Sequence, residues 1–330
     1  MLDFRVETFL TVCQTMNFTE AARLLHITQP AVSQHIHGLE KQFDAVFFQY
    51  EGKRLSLTAA GQLFYRTALA MRHDVDHLKQ QLSQVDAAPV LNFGATLTVG
   101  EYIMPPMLLR LLKTRPEVRL RMLVENTDVL LKLLNQGEID FAIVEGYFPR
   151  QTYEGLPFRT ERFLPVCAPG AFPAVPTVPA VSSALTIPAA VPAVPAAPAN
   201  APAVPAVPVV PASAPLPLEA LLSCRLLVRE AGSGTREILE RSLREHNLAL
   251  SDFPKLTELG NLNVIKTLVM AGLGISFCYE SVVREELADG RLQEIPVEGF
   301  PVTHDFTFLW QKDSVFSEYY RSVFEALCPG

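Results

Sequence analysis

The 330-residue sequence predicts two folds in one chain: an all-α winged helix-turn-helix extended by a long linker helix, then a two-lobed α/β domain. Three observations carry this. Two short helical patterns meet at a tight turn between Phe18 and Phe43, and a short hairpin follows them. A run of apolar residues spaced 4-3-4-3-4 comes next. From Val90 onward strands alternate with helices, and the same rhythm restarts at Leu226.

The elements follow in order. Leu2, Val6, Phe9, Leu10 and Cys13 share one face of a first helix. Thr19 is placed to cap the second helix and Thr28 the third, since each hydroxyl can accept an unpaired amide of the first turn. Pro30 then sits in the first turn, where the N–H it lacks has no helical partner. Val32, Ile36, Leu39 and Phe43 recur at i, i+4, i+7 and i+11, so they share a buried face. Gln29, Ser33, Gln34 and His37 lie opposite, and a helix with such a polar outer face is one that enters the DNA major groove. Gly52 turns a small β-wing whose tip charges, Lys53 and Arg54, can lie against phosphates.

Thr58 caps a long helix running to about Val85. Its seam of Phe64, Ala68, Met71, Val75, Leu78 and Leu82 suits pairing with a second copy. Asp86 to Pro89 is a short hinge. Strands are expected at Val90–Ala95, Val118–Val124, Ile139–Val144 and Leu226–Val228, and helices at Tyr102–Thr114, broken early by Pro105 and Pro106, and at Thr127–Asn135, stopped by Gly137. Between the lobes, Phe172 to Pro217 is mostly Ala, Pro and Val, which reads as an expanded, polyproline-like surface insert.

Composition limits the function classes. A net charge of −7 argues against coating nucleic acid through bulk positive charge, so any DNA contact must draw on local charge and helix N-termini. No basic-then-apolar leader and no proline-free stretch of 18 apolar residues is present, so neither a signal peptide nor a membrane span is expected. Five scattered cysteines without a C-x-x-C pair fit a reducing cytoplasm; a redox pair of Cys167 with Cys224 is the alternative. Catalytic and metal motifs are absent, and no cofactor is expected.

Instead, three strand ends run into helix starts rich in small polar residues: Gly94 to Gly100, Glu125-Asn126-Thr127 and Glu230 to Arg236. In an open α/β sheet such turns lie where ligands bind, and free amides with hydroxyls suit a small anion. Thr96, Thr98, Asn126, Ser233 and Thr235 are the candidate contacts. Glu145 and Glu230 nearby are awkward for an anion and would bias selectivity.

Phe18 to Ala22, Gln29 to Ile36 with Leu39-Glu40, Leu57 to Gly61, Gly94 to Gly100, Gly137 to Asp140, Arg229 to Arg236 and Ala271 to Ser276 together resemble the LysR-type transcriptional regulators over almost the whole chain. The Gly232 to Arg236 loop is similar to the branch that holds regulators of sulfur and selenium metabolism. The resemblance implies a DNA-binding domain over 1–58, a dimerising linker helix and hinge over 59–88, and a periplasmic-binding-protein-like effector domain over 89–330. It places the first subdomain at about 89–165 and 275–330, and the second at about 166–274 with the insert at 172–217. It implies double-stranded promoter DNA as partner, a small-molecule effector in the cleft, no membrane partner, and a homodimer assembling to a homotetramer. By position, Gln29, Pro30, Ser33, Gln34 and His37 match the family's DNA-facing residues, and Thr96, Thr98, Ser233 and Thr235 match its ligand contacts; with the residues read above, the expected DNA-facing set is Thr28, Gln29, Pro30, Ser33, Gln34, His37, Lys53 and Arg54, and the expected effector set is Thr96, Thr98, Asn126, Glu145, Ser233 and Thr235. Tyr50 stands where the family usually has a wing arginine, Gln34 and His37 where arginines are frequent, and Phe43-Asp44 where it has Leu-Gly. The competing reading is a two-lobed small-molecule-binding protein or enzyme with an accessory N-terminal domain.

Overall fold

The computed structural model describes residues 3–82, 90–171 and 215–328. Leu2, the hinge at Asp86 to Pro89 and the insert as far as residue 214 lie outside them.

Helices α1 (Phe4–Thr15), α2 (Phe18–Leu24) and α3 (Gln29–Phe43) form the helix-turn-helix core. Asn17, not Thr19, caps α2: its backbone is extended, and its side chain accepts from the amides of Thr19 and Glu20 at 2.9 and 3.2 Å. Thr19 is already inside the first turn. Thr28 caps α3 as expected, accepting from Ala31 N at 3.4 Å. Val32, Ile36 and Leu39 are buried against Phe9, Leu10, Ala21 and Ala22. Phe43 departs from the expected buried face and is 51% exposed. Helix α3 ends there, with Asp44 left-handed at φ 47°, so the Phe43 ring stays at the rim, where it touches Phe47 and Phe64.

Strands β1 (Phe48–Glu51) and β2 (Arg54–Leu57) make the wing, turned by Gly52 at φ 65°. Helix α4 (Ala59–Leu82) follows, capped by Thr58, whose hydroxyl accepts from Gly61 N at 2.9 Å. A Cβ on Gly61 would stand 2.0 Å from the Phe47 carbonyl oxygen. Backbone cannot yield as a flexible side chain does, so Gly61→Ala is expected to destabilise the N-terminal domain by about 3 kcal/mol, the upper end of ordinary overpacking. A urea midpoint equal to that of the unsubstituted chain would refute it.

The apolar seam of α4 divides. Phe64 and Ala68 pack into the N-terminal core, whereas Met71, Leu78 and Leu82 are exposed. The opposite face of the same helix lies on the C-terminal domain. Arg72 donates to the Asn135 carbonyl and pairs with Glu7 of α1 at 3.4 Å. Asp74 accepts from Ser314 Oγ and Val315 N. His77 Nδ1 meets Asp140 Oδ1 at 2.9 Å, both side chains being almost fully buried.

The first lobe begins with β3 (Val90–Ala95), a π-helical turn at Val99–Ile103, α5 (Met104–Thr114), β4 (Arg119–Val124), α6 (Thr127–Gln136), β5 (Phe141–Val144) and the long β6 (Tyr153–Cys167). Pro105 and Pro106 open α5 rather than break it, because first-turn positions need no N–H. Beyond the insert come a 3₁₀ turn (Leu218–Ser223), β7 (Arg225–Val228), α7 (Gly234–Glu245), β8 (Lys255–Glu258), α8 (Leu262–Met270), β9 (Ser276–Tyr279), α9 (Glu280–Ala288) and β10 (Gln293–Glu294). The chain returns through β11 (Val302–Gln311) to α10 (Ser317–Leu327).

Strands β4, β3 and β5 are parallel; β11 pairs antiparallel with β5, and β6 pairs antiparallel with β11. The far end of β6 pairs with β9 and β10, while β7 pairs with β8 and bridges to Ile275 beside β9. Two long strands, β6 and β11, therefore join the lobes. This pairing puts residues 275–301 with β7 and the far half of β6, whereas the sequence reading assigned that segment to the first subdomain. Leu216 and Pro217 also leave the expected insert, for Leu216 bridges Val297 and Pro217 precedes the 3₁₀ turn.

The sheet's core is aromatic. Phe141 stacks between Phe93 and Phe308, with centroids 5.0 and 4.6 Å apart, each pair adding about 1 kcal/mol beyond area burial. No helix among the described residues is long and apolar enough to cross a membrane.

Candidate functional site

The turns that follow β3, β5 and β7 meet where the lobes touch. Glu145, just past β5, is the centre. Its carbonyl accepts from Thr127 Oγ1 at 2.9 Å, and its Oε1 accepts from Thr235 Oγ1 at 2.6 Å. The first contact lies within one lobe and the second crosses between them. Glycine permits the crossing: a Cβ on Gly234 would lie 2.3 Å from the Glu145 carbonyl oxygen, and one on Gly146 would lie 2.7 Å from Gly234 Cα. Asp128 N donates to the Gly232 carbonyl at 3.4 Å across the same seam.

Five polar atoms here are buried without a hydrogen-bond partner: Thr96 Oγ1, Thr98 Oγ1, Glu145 Oε2, Arg229 Nη1 and Ser233 Oγ. Buried polar atoms are normally paired, so five in one place mark a site shaped for something polar. Four of the six expected effector contacts lie in this set, and Thr235 is spent on Glu145. Asn126 stands differently: it is half-buried, and its Oδ1 accepts from Val129 N as the cap of α6.

Arg229 was not among the expected contacts. It is 3% exposed, and it holds Glu230 through two 2.8 Å hydrogen bonds, Nε to Oε2 and Nη2 to Oε1, leaving Nη1 free. Although burial pushes the Glu230 carboxyl upward, this fork outweighs it and keeps Glu230 below the usual carboxylate range. The acid that looked awkward for an anion is therefore neutralised in place.

Burial dominates at Glu145 and raises its carboxyl above the usual range; Thr235, the neighbouring Thr98 hydroxyl and Arg229 pull the other way without cancelling it. A carboxyl whose folded pKa is raised stabilises fully below its unfolded value, near the ordinary 4.5, and that contribution is lost as pH rises through the folded value. Glu145→Gln should therefore flatten the fall in stability on the alkaline side of this window. Parallel pH–stability profiles for the two chains would show the carboxyl to be charged in place.

On the N-terminal domain, Thr28, Gln29, Pro30, Gln34 and His37 are exposed along α3, and Ser33 is half-buried, accepting from Gln29 Nε2 at 2.9 Å. Lys53 and Arg54 are exposed at the wing turn. Glu40, an acid within α3, is turned inward, where its Oε1 accepts from Phe47 N at 2.8 Å. Among the described residues no cluster of His, Cys, Asp or Glu could hold a metal ion.

A winged helix-turn-helix, a linker helix and a two-lobed domain with polar atoms converging between its lobes define a transcriptional regulator with an effector-binding domain. Residues 5–62 match the bacterial regulatory helix-turn-helix protein, lysR family, and residues 86–181 and 200–328 match the LysR substrate binding domain. The chain belongs to the LysR family. It is 25% identical over 307 residues to the HTH-type transcriptional regulator CysL of Bacillus subtilis, covering 92% of this chain and 89% of that protein. It is 28% identical over 307 residues to the uncharacterized HTH-type transcriptional regulator YeiE of Escherichia coli, covering 93% and 89%. In fold it matches full-length LysG from Corynebacterium glutamicum, whose structure holds bound effector Arg, with a TM-score of 0.53 at 16% identity over 99% of this chain and 98% of that one. These relatives are transcriptional regulators and not enzymes.

Proposed function

We propose that this regulator responds to a small oxyanion held between the lobes by Thr96, Thr98, Ser233 and Arg229. The observation carrying this reading is the group of five buried, unpaired polar atoms around Glu145. Three hydroxyls and a guanidinium N–H can all donate to one acceptor-rich guest. Burial raises the Glu145 carboxyl, and in its protonated form that group donates as well, so Glu145 favours a guest with a spare acceptor. Thr235 and Asn126 act less directly, as the clasp on Glu145 and the cap of α6.

DNA is read in the cytoplasm by the polar face of α3, with Lys53 and Arg54 on the backbone phosphates. Each lost phosphate contact lowers the salt slope of binding by about 0.9. The exposed Met71, Leu78 and Leu82 pair two linker helices, which presents two recognition helices to a two-fold site. A homotetramer then forms from two such dimers.

One experiment separates the parts. Sulfate and phosphate are titrated against the full chain by thermal shift, and binding to its own upstream DNA is followed with and without them. Either ion should raise the melting temperature, and Ser233→Ala should weaken that effect while leaving DNA binding intact. Lys53→Glu with Arg54→Glu should do the reverse. An ion effect that ignores Ser233→Ala would place the effector elsewhere.

A further inference from the structure

An opening begins at Gly146, beside the Glu145–Gly234 contact. It is a crevice of about 660 Å³ over the start of β6 and the middle of β11, bounded by the loop that follows β5. Tyr147, Arg150, Glu154, His304, Asp305 and Lys312 line it with their charged and aromatic groups. That volume suits a metabolite rather than a bare inorganic ion.

Its charges are unevenly spent. Glu154 is engaged by Arg321, and Asp305 accepts from Thr160 Oγ1 at 2.5 Å. Arg150 and Lys312 are both exposed and have no ion-pair partner among the described residues. His304 Nδ1 is buried and without a partner, at a ring packed against Tyr147 with centroids 5.5 Å apart. Burial also holds this imidazole below its ordinary range, so it serves as a neutral hydrogen-bonding group. The strand faces contribute Thr303 and Thr307, and Asp305 keeps lone pairs for a donor. Two spare cations thus stand beside hydroxyl-matching groups, with the orphan His304 between Tyr147 and the strands.

We propose that this crevice is a second ligand site, separate from the oxyanion cluster, for a hydroxylated organic anion whose charged end meets Arg150 and Lys312 and whose hydroxyls meet Asp305, Thr303, Thr307 and His304. Occupancy is felt by the second lobe. Tyr147 N donates to Glu237 Oε2 at 3.2 Å, and Arg241 lies 3.2 Å from the centre of the Tyr147 ring; both partners belong to α7, whose first turn carries Thr235. A ligand that moves Tyr147 must shift the closure of the cleft, and by linkage a cleft ligand changes affinity at the crevice.

The test is calorimetric titration of the full chain with glucose 6-phosphate and with gluconate, using glucose and inorganic phosphate as controls. The first two supply the same chemistry with a phosphate or a carboxylate. At least one should bind saturably, and Arg150→Glu with Lys312→Glu should weaken it about tenfold or more, as for loss of a charge-assisted contact. Both residues are exposed, so the substituted chain should keep its melting temperature. Ser233→Ala should change this affinity less than twofold. The proposal is overturned if neither anion binds up to about 10 mM. It is equally overturned if the charge reversal leaves binding unchanged, or if inorganic phosphate competes at equal affinity.

Discussion

Replacing His77 with alanine is expected to cost about 3–5 kcal/mol of stability and to disconnect the DNA-binding half of the chain from the ligand-binding half. The cost follows from burial. His77 Nδ1 and Asp140 Oδ1 are 2.9 Å apart with side chains only 5% exposed, and Gln81 Nε2 stands 2.9 Å from the other ring nitrogen. The rings of Phe316, Tyr319 and Tyr320 enclose the imidazole. Removing one partner strands the Asp140 carboxylate in this apolar setting, which is the costly way to break a buried pair. Replacing both, as His77→Phe with Asp140→Leu, should recover most of the loss, because no charge is then left unpaired. A double-mutant cycle in urea measures the difference.

Disconnection follows from where α4 lies. Arg72 touches Glu7 of α1 and the Asn135 carbonyl at the end of α6 from one side chain, one turn before His77. Asp74 holds the loop before α10. The helix is thus fixed to both halves, and a lobe that moves carries it along. In the His77→Ala chain the oxyanion should still raise the melting temperature and DNA should still bind, but the ion should no longer alter DNA affinity. A response of unchanged size would mean that coupling does not pass through this face of α4.

The sequence showed one face of α4 and hid the other. Apolar spacing exposes a seam by its period alone, and Met71, Leu78 and Leu82 are indeed left at the surface. Arg72, Asp74 and His77 are polar, and nothing in their spacing says that they dock on residues more than 60 positions away. The cleft residues were legible for a different reason. Thr96, Thr98, Ser233 and Thr235 each sit between a strand end and a helix start, and topology alone gathers such turns. Arg229 is hard to see because it reads as the polar end of the apolar run Leu226 to Val228; an arginine at the carboxyl end of a buried strand, where ligands bind, is the available signal. The extent of the second lobe is hard to see in the sequence because Pro157 and Pro165 fall in the strand that joins the lobes, and proline is uncommon inside a strand. In the fold both lie within β6, Pro157 at the bulge opposite Thr307 and Pro165 paired with Phe277. A strand that continues through two prolines joins the lobes, and β9 and β10 then pair with its far end.

Adding a single methyl group at Gly234 is expected to remove the response to the effector while leaving both lobes folded. The Cβ would meet the Glu145 carbonyl oxygen at 2.3 Å, its carbonyl carbon at 2.7 Å and its Cγ at 2.9 Å. Two of these atoms are backbone, so the contact is relieved only by drawing the turn before α7 away from the first lobe. That motion breaks the Thr235–Glu145 hydrogen bond and carries Ser233 and Arg229 away from Thr96 and Thr98. An ion held from both sides then keeps one side's donors. Losing at least two ordinary hydrogen bonds, or one to the charged Arg229, weakens binding about tenfold or more. The lobes themselves have little reason to unfold, since Leu226, Leu227 and Val228 behind the turn and Phe141, Ile143 and Val144 before Glu145 stay buried in their own sheets. Gly234→Ala should therefore enlarge the molecule in small-angle scattering and abolish ion-induced stabilisation, with only a small shift in the ligand-free melting temperature. Ser233→Ala, which removes one donor and adds no bulk, should weaken the ion severalfold and leave the dimensions unchanged. If the two substitutions behave alike, closure is not what Gly234 provides, and the site works through its hydroxyls alone.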